Sequence, residues 1–134
     1  MRNIRTGTWE TNSSSSHSIT FVPNYVKHNI DLHGAEFIIN GVDFGWGYED
    51  YNDIYTKISY VAQETEDLRN YEMRLWLEEI LKEELKCGTI TYNLDGGYID
   101  HNSMGTVKNT IETKEELRQF IFGQSTLIID NDNH

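Results

Sequence analysis

The chain has 134 residues, enough for one domain. Asp and Glu outnumber Lys and Arg by 22 to 11, and the formal charge of −11 disfavours non-specific binding to a phosphate backbone, which runs on basic side chains. Cys87 is the only cysteine, so no internal disulfide can form. No apolar run approaches a membrane span, and the first six residues carry no apolar core behind Arg2 and Arg5, so a cytoplasmic protein is expected.

In chain order, the first distinctive segment is Glu10-Thr11-Asn12-Ser13-Ser14-Ser15-Ser16-His17-Ser18. A serine run of this kind is commonly a flexible linker. Here it leads into Ile19-Thr20-Phe21-Val22, which is apolar and partly β-branched, so it reads as an ordered polar loop opening a strand over 18–22. Pro23 has no N–H for a ladder and ends that strand. The connection 24–34 carries His28 and His33, both expected to be solvated. A second strand is predicted over 35–40, with Asn40-Gly41 as a turn signal.

Residues 42–53 (VDFGWGYEDYND) crowd aromatics, glycines and acids together. A helix is predicted from about Asp53, a good cap, to about Gln63. A longer one follows over 67–86, where Leu68, Tyr71, Leu75, Trp76, Leu77, Ile80 and Leu81 recur at helical spacing and Gly88 suits the exit. Residues 89–93 alternate as a strand. Asp95-Gly96-Gly97 then reads as a hairpin turn and 98–101 as its return strand. Thr113 and Glu116 form a capping box for a helix over 113–122 that Gly123 stops, before a last strand over 126–130. The order β-β-α-α-β-β-α-β predicts a single α+β domain over 1–134. The expected architecture is a two-layer sandwich with a mostly antiparallel sheet and two to three helices.

Three chemistries are open. If strands 18–22 and 98–101 pair, the imidazoles of His17 and His101 converge, and Asp100 or Asp43, with Cys87 as a further donor, would complete a zinc site. The bland alternative is that both histidines bond to backbone at a sheet edge. A hydrolase would set one of Ser13 to Ser16 beside a histidine. Ser16 and His17 point to opposite faces of a strand, however, so His101 is the better partner, and no G-x-S-x-G elbow is present. Gly45-x-Gly47 is followed by Tyr48-Glu49-Asp50 and fails the phosphate-loop pattern. Its aromatics either pack a corner or anchor a protein-binding face made of Trp46, Tyr48, Glu49, Asp50, Tyr51 and Asp53, continued by Glu64, Glu66 and Asp67.

Three blocks carry a resemblance. They are Arg2-x-x-Arg5-Thr6-Gly7-x-x-Glu10 running into the serine segment, Phe44-Gly45-Trp46 with Tyr51-x-Asp53-x-x-x-Lys57-x-Ser59-Tyr60, and Gly97-Tyr98-Ile99-Asp100-His101-x-Ser103. Together they resemble a family of small proteins from phages and mobile elements of Gram-positive bacteria. In size, charge and origin the chain is also similar to type II-A anti-CRISPR proteins. That likeness implies a non-enzymatic, phage-encoded inhibitor acting in the bacterial cytoplasm. It would bind a Cas9-type nuclease and block its use of DNA, with no direct nucleic-acid contact, and could carry a structural zinc ion, for which the candidate donors named above are His17, His101, Asp100 and Cys87. The alternative is a small metal-dependent hydrolase using His17 and His101.

Overall fold

The computed structural model describes residues 15–45, 48–99 and 105–131. Its elements are β1 (Ser15–Thr20), β2 (Glu36–Asn40), β3 (Glu49–Tyr51), α1 (Ile54–Leu68), α2 (Tyr71–Leu85), β4 (Thr89–Asn93), α3 (Thr106–Thr110), α4 (Lys114–Phe122) and β5 (Thr126–Asn131). The fold is α+β, as the element pattern predicts. The strands divide into two sheets: an antiparallel one in the order β1-β5-β3, and a parallel pair, β2-β4.

β1 pairs with β5 along its whole length, His17 opposite Ile129 and Ile19 opposite Leu127. Exposure alternates along it: Ser16, Ser18 and Thr20 face water, while His17 and Ile19 are half-buried. The strand starts three residues earlier than predicted because β5 reaches Asn131 and offers a ladder partner to each serine. Val22 has left the strand, and its N–H donates to Ser125 Oγ at 2.8 Å.

The second predicted hairpin does not form. Tyr98 bridges in parallel to Asp43, with Phe44 N donating to Tyr98 O at 2.9 Å and Tyr98 N to Val42 O at 3.1 Å. Residues 89–98 therefore run beside 36–43 in one direction, and Asp95-Gly96-Gly97 is a loop bulging from that track. Asn40-Gly41 is not a turn either, since Gly41 N donates to Asn93 O at 2.9 Å and continues the ladder. Gln63 of α1 fills the gap at the bulge. Its Oε1 accepts from Val42 N at 2.6 Å and its Nε2 donates to Val42 O at 2.8 Å. A Cβ at Gly97 would come within 2.8 Å of the Gln63 amide carbon, so only glycine lets the loop lie flat there. The crossover through α1 and α2 gives the parallel pair the chain length it needs.

Asp53 caps α1 by accepting from Thr56 N at 2.9 Å. α1 runs on to Leu68, and Arg69, left-handed at φ 52°, separates it from α2, so the second helix starts at Tyr71 behind the Asn70 cap. Thr113 Oγ1 caps α4 from Glu116 N, while the Glu116 carboxylate reaches Glu112 N. The core joins Ile58, Val61 and Ala62 of α1, Leu77, Ile80 and Leu81 of α2, and Leu117, Phe120 and Ile121 of α4. Ile39, Phe44, Leu127 and Ile129 complete it from the sheet side. Lys57 is fully buried within it. Its Nζ donates to the carbonyls of Phe120 (2.9 Å), Ser125 (2.9 Å) and Gly123 (3.3 Å), tying α1 to the carbonyl-rich end of α4.

Candidate functional site

The alternation of β1 turns His17 inward. Its Nδ1 lies 2.7 Å from Tyr60 Oη, with the rings tilted at 59°. Tyr60, on α1, is fully buried and packs edge-on against Phe44 at 4.9 Å between centroids. Burial pushes its hydroxyl far above the ordinary phenol range, against a smaller opposing effect of a Thr106 hydrogen bond, so it serves as a neutral hydrogen-bonding group. One helical turn on, Glu64 is 1% exposed. Its carboxylate accepts from Val107 N at 3.0 Å and Lys108 N at 2.9 Å, capping α3, whose own cap residue, Gly105, has no side chain to offer. Burial raises the Glu64 pKa, and the backbone N–H groups of Val107, Lys108 and Gly105 and the Lys108 charge only partly offset it. Tyr60 and Glu64 thus pin β1 and α3 to one face of α1.

This arrangement decides part of the predicted chemistry. Ser16 and Ser18 stand on the exposed face opposite His17, so neither forms a local nucleophile–base pair with it. Asp100 and His101 lie outside the described residues. The described part of their segment pairs with Asp43, while β1 pairs with β5, so the strand pairing that was to bring the two histidines together is not the one seen. Cys87 is buried, and burial pushes its thiol up, away from the thiolate a metal requires. Among the described residues no group of three or more His, Cys, Asp or Glu is placed to hold a metal ion.

His28 corrects the expectation of a solvated loop histidine. It stacks on Phe122 at 5.0 Å, and its Nδ1 accepts from Ile30 N at 3.1 Å. That assigns the proton to Nε2, which donates to Glu84 at 3.0 Å. Glu84 also accepts from Tyr25 at 2.6 Å and from Arg118 at 2.8 Å, joining the 24–34 connection to α2 and α4. His33, by contrast, has a side chain 85% exposed.

The expected protein-binding face is partly used up by structure. Tyr48 is 64% exposed, and Glu49 and Asp50 are exposed on β3, a sheet edge. Tyr51 instead packs against Phe44 at 88°, with its hydroxyl donated to Glu49 and its pKa pushed up to about 12, first by burial and then by Glu49. Asp53 spends its carboxylate on the α1 cap, and Trp46 lies outside the described residues. Glu64 is buried under α3 and leaves the expected acidic surface.

Three of the described cations are committed elsewhere. Arg118 pairs with Glu83, Glu84 and Glu115, Lys114 with Glu79 and Glu83, and Arg74 with Glu66. Among the described residues no ion pair joins Glu49, Asp50 or Asp53 to a basic side chain. A second acidic feature is a cleft of about 330 Å³ at the end of α1, where Glu66, Asp67 and Asp95 surround Tyr92 and Leu94. Set against protein-family models, curated proteins and solved structures, the chain matches none.

Lys57, Gln63, Glu64 and Glu84 escape a reading by residue type. One signal was present for three of them. Lys57, Gln63 and Glu64 lie in the same α1 segment as Ile58, Tyr60 and Val61, so some polar groups had to enter the core with the apolar face.

Proposed function

We propose that the chain is an acidic, phage-encoded inhibitory binding protein that acts stoichiometrically on a basic nucleic-acid-handling protein in the bacterial cytoplasm. The sequence resemblance makes a Cas9-type nuclease the specific partner, blocked in its use of DNA. The supporting observation is the division of charge: Lys57, Arg74, Lys114 and Arg118 are consumed by internal contacts, whereas Tyr48, Glu49 and Asp50 stay at the surface and, among the described residues, the two carboxylates have no basic side chain in ion-pair range. Such a face steers encounter with a positively charged channel and repels nucleic acid itself. No helix among the described residues is long and apolar enough to cross a membrane.

Pull-down of a Cas9-type nuclease, with and without guide RNA, tests the proposal, and failure in both states retires it. Glu49→Lys with Asp50→Lys should slow association by about tenfold and flatten its salt dependence. The zinc ion belongs to the same proposal through His17, Asp100 and His101. The Tyr60 hydroxyl against His17 Nδ1 is the sort of contact that orients a ligating imidazole. Elemental analysis of untagged protein should then find about one zinc per chain, and its absence would remove zinc from the proposal.

A further inference from the structure

Tyr71 and Leu75 are the two large apolar side chains that α2 leaves most open, 74% and 54% exposed, and they lie one turn apart on it. Their neighbours three residues on, Arg74 and Glu78, both reach β4. Arg74 lies over the Tyr92 ring at 4.0 Å, and Tyr92 Oη donates to Glu78 at 2.7 Å. The exposed pair therefore adjoins the cleft lined by Tyr92 and Leu94 together with Glu66, Asp67 and Asp95.

We infer that this helix face and cleft form one docking surface for a basic amphipathic segment of a partner protein, its apolar residues on Tyr71 and Leu75 and its Arg or Lys heads in the cleft. Charge complementarity selects that occupant. A second copy of the chain, at −11, would set carboxylate against carboxylate. The Arg74 contact is an internal instance of the same recognition, a guanidinium held between an aromatic face and a carboxylate. The surface rests on the proposal of a basic partner and is separate from β3, so a partner could engage both.

The experiment uses the full chain, isotope-labelled, titrated with a synthetic peptide of alternating arginine and leucine. Amide shifts should concentrate at Tyr71, Leu75 and Asp95. Tyr71→Ser with Leu75→Ser should weaken binding by at least about tenfold, and Glu66→Gln with Asp95→Asn should do so by a similar factor while reducing the salt dependence. All four side chains are exposed, so the variants should keep the fold, which their spectra check directly. Unchanged affinity in both variants, or shifts gathered at Glu49 and Asp50 instead, would overturn the inference. A chain that binds the peptide here but no Cas9-type nuclease retires the partner class and keeps the surface. A nuclease bound equally well after the Tyr71 and Leu75 changes retires the surface and keeps the partner class.

Discussion

Two buried ionisable side chains carry the clearest residue-level consequences. Lys57 donates to the carbonyl of Phe120 in the last turn of α4 and to those of Gly123 and Ser125 just beyond it. Lys57→Met keeps the aliphatic stem and orphans those carbonyls, so urea denaturation should show a loss of about 1–3 kcal/mol. Glu64 is the mirror case, an acceptor for the first N–H groups of α3. Burial raises its folded pKa above the ordinary carboxylate value of 4.5, so the folded state holds the proton more tightly than the unfolded one. Its contribution is then fully present at low pH and declines as pH rises through the folded value. Glu64→Gln should remove that decline, which stability curves at a series of pH values can read. A stability that falls with pH as steeply in the variant would contradict it.

At the scale of elements, the starts of α1 and α4 were legible because caps are local: Asp53 and Thr113 sit where their helices begin. The parallel pairing of β2 with β4 was not, because Asp95-Gly96-Gly97 carries the local signature of a reversal. The partner that overrides it comes from more than fifty residues earlier in the chain. α3 was missed for a related reason. It is too short to show a period, and its cap is Glu64, on another helix. The inward face of His17 could be read from strand alternation, but its contact with Tyr60 could not, since it joins residues 43 positions apart.

The bulge makes its own prediction. Gln63→Leu leaves Val42 without its side-chain partner and should cost about 1–2 kcal/mol. Gly97→Ala should cost a similar amount by displacing the Gln63 amide, and the two losses should not add, because they break one contact. Additive losses in the double variant would place Gly97 and Gln63 in separate roles.

The junction of α2, α4 and the 24–34 connection sets the acid limb of stability. Burial alone would raise the Glu84 pKa, but hydrogen bonds from Tyr25, His28 and Arg118 outweigh it and hold the carboxyl below its usual range. Glu83 is held down by Arg118 and Lys114. With folded values below the unfolded 4.5, this stability is present above that pH and is lost as pH falls through the folded values. Glu84→Gln should therefore flatten the loss of melting temperature on acidification, and an unchanged acid limb would contradict the assignment.

For the whole molecule, the decisive property is that internal contacts take up Lys57, Arg74, Lys114 and Arg118 while Glu49 and Asp50 stay at the surface. The sequence carried the total charge of −11 but not its placement, since the apolar α1 segment shows that some polar groups must enter the core but not that Lys57 and Glu64 find their partners on α4 and α3. Titration calorimetry of the chain into a guide-loaded Cas9-type nuclease at two salt concentrations tests the central claim most directly. The expected result is a one-to-one complex whose affinity falls by at least about tenfold at the higher salt and again on Glu49→Lys with Asp50→Lys. Absence of heat at both salts, or an affinity that neither salt nor charge reversal moves, would contradict it.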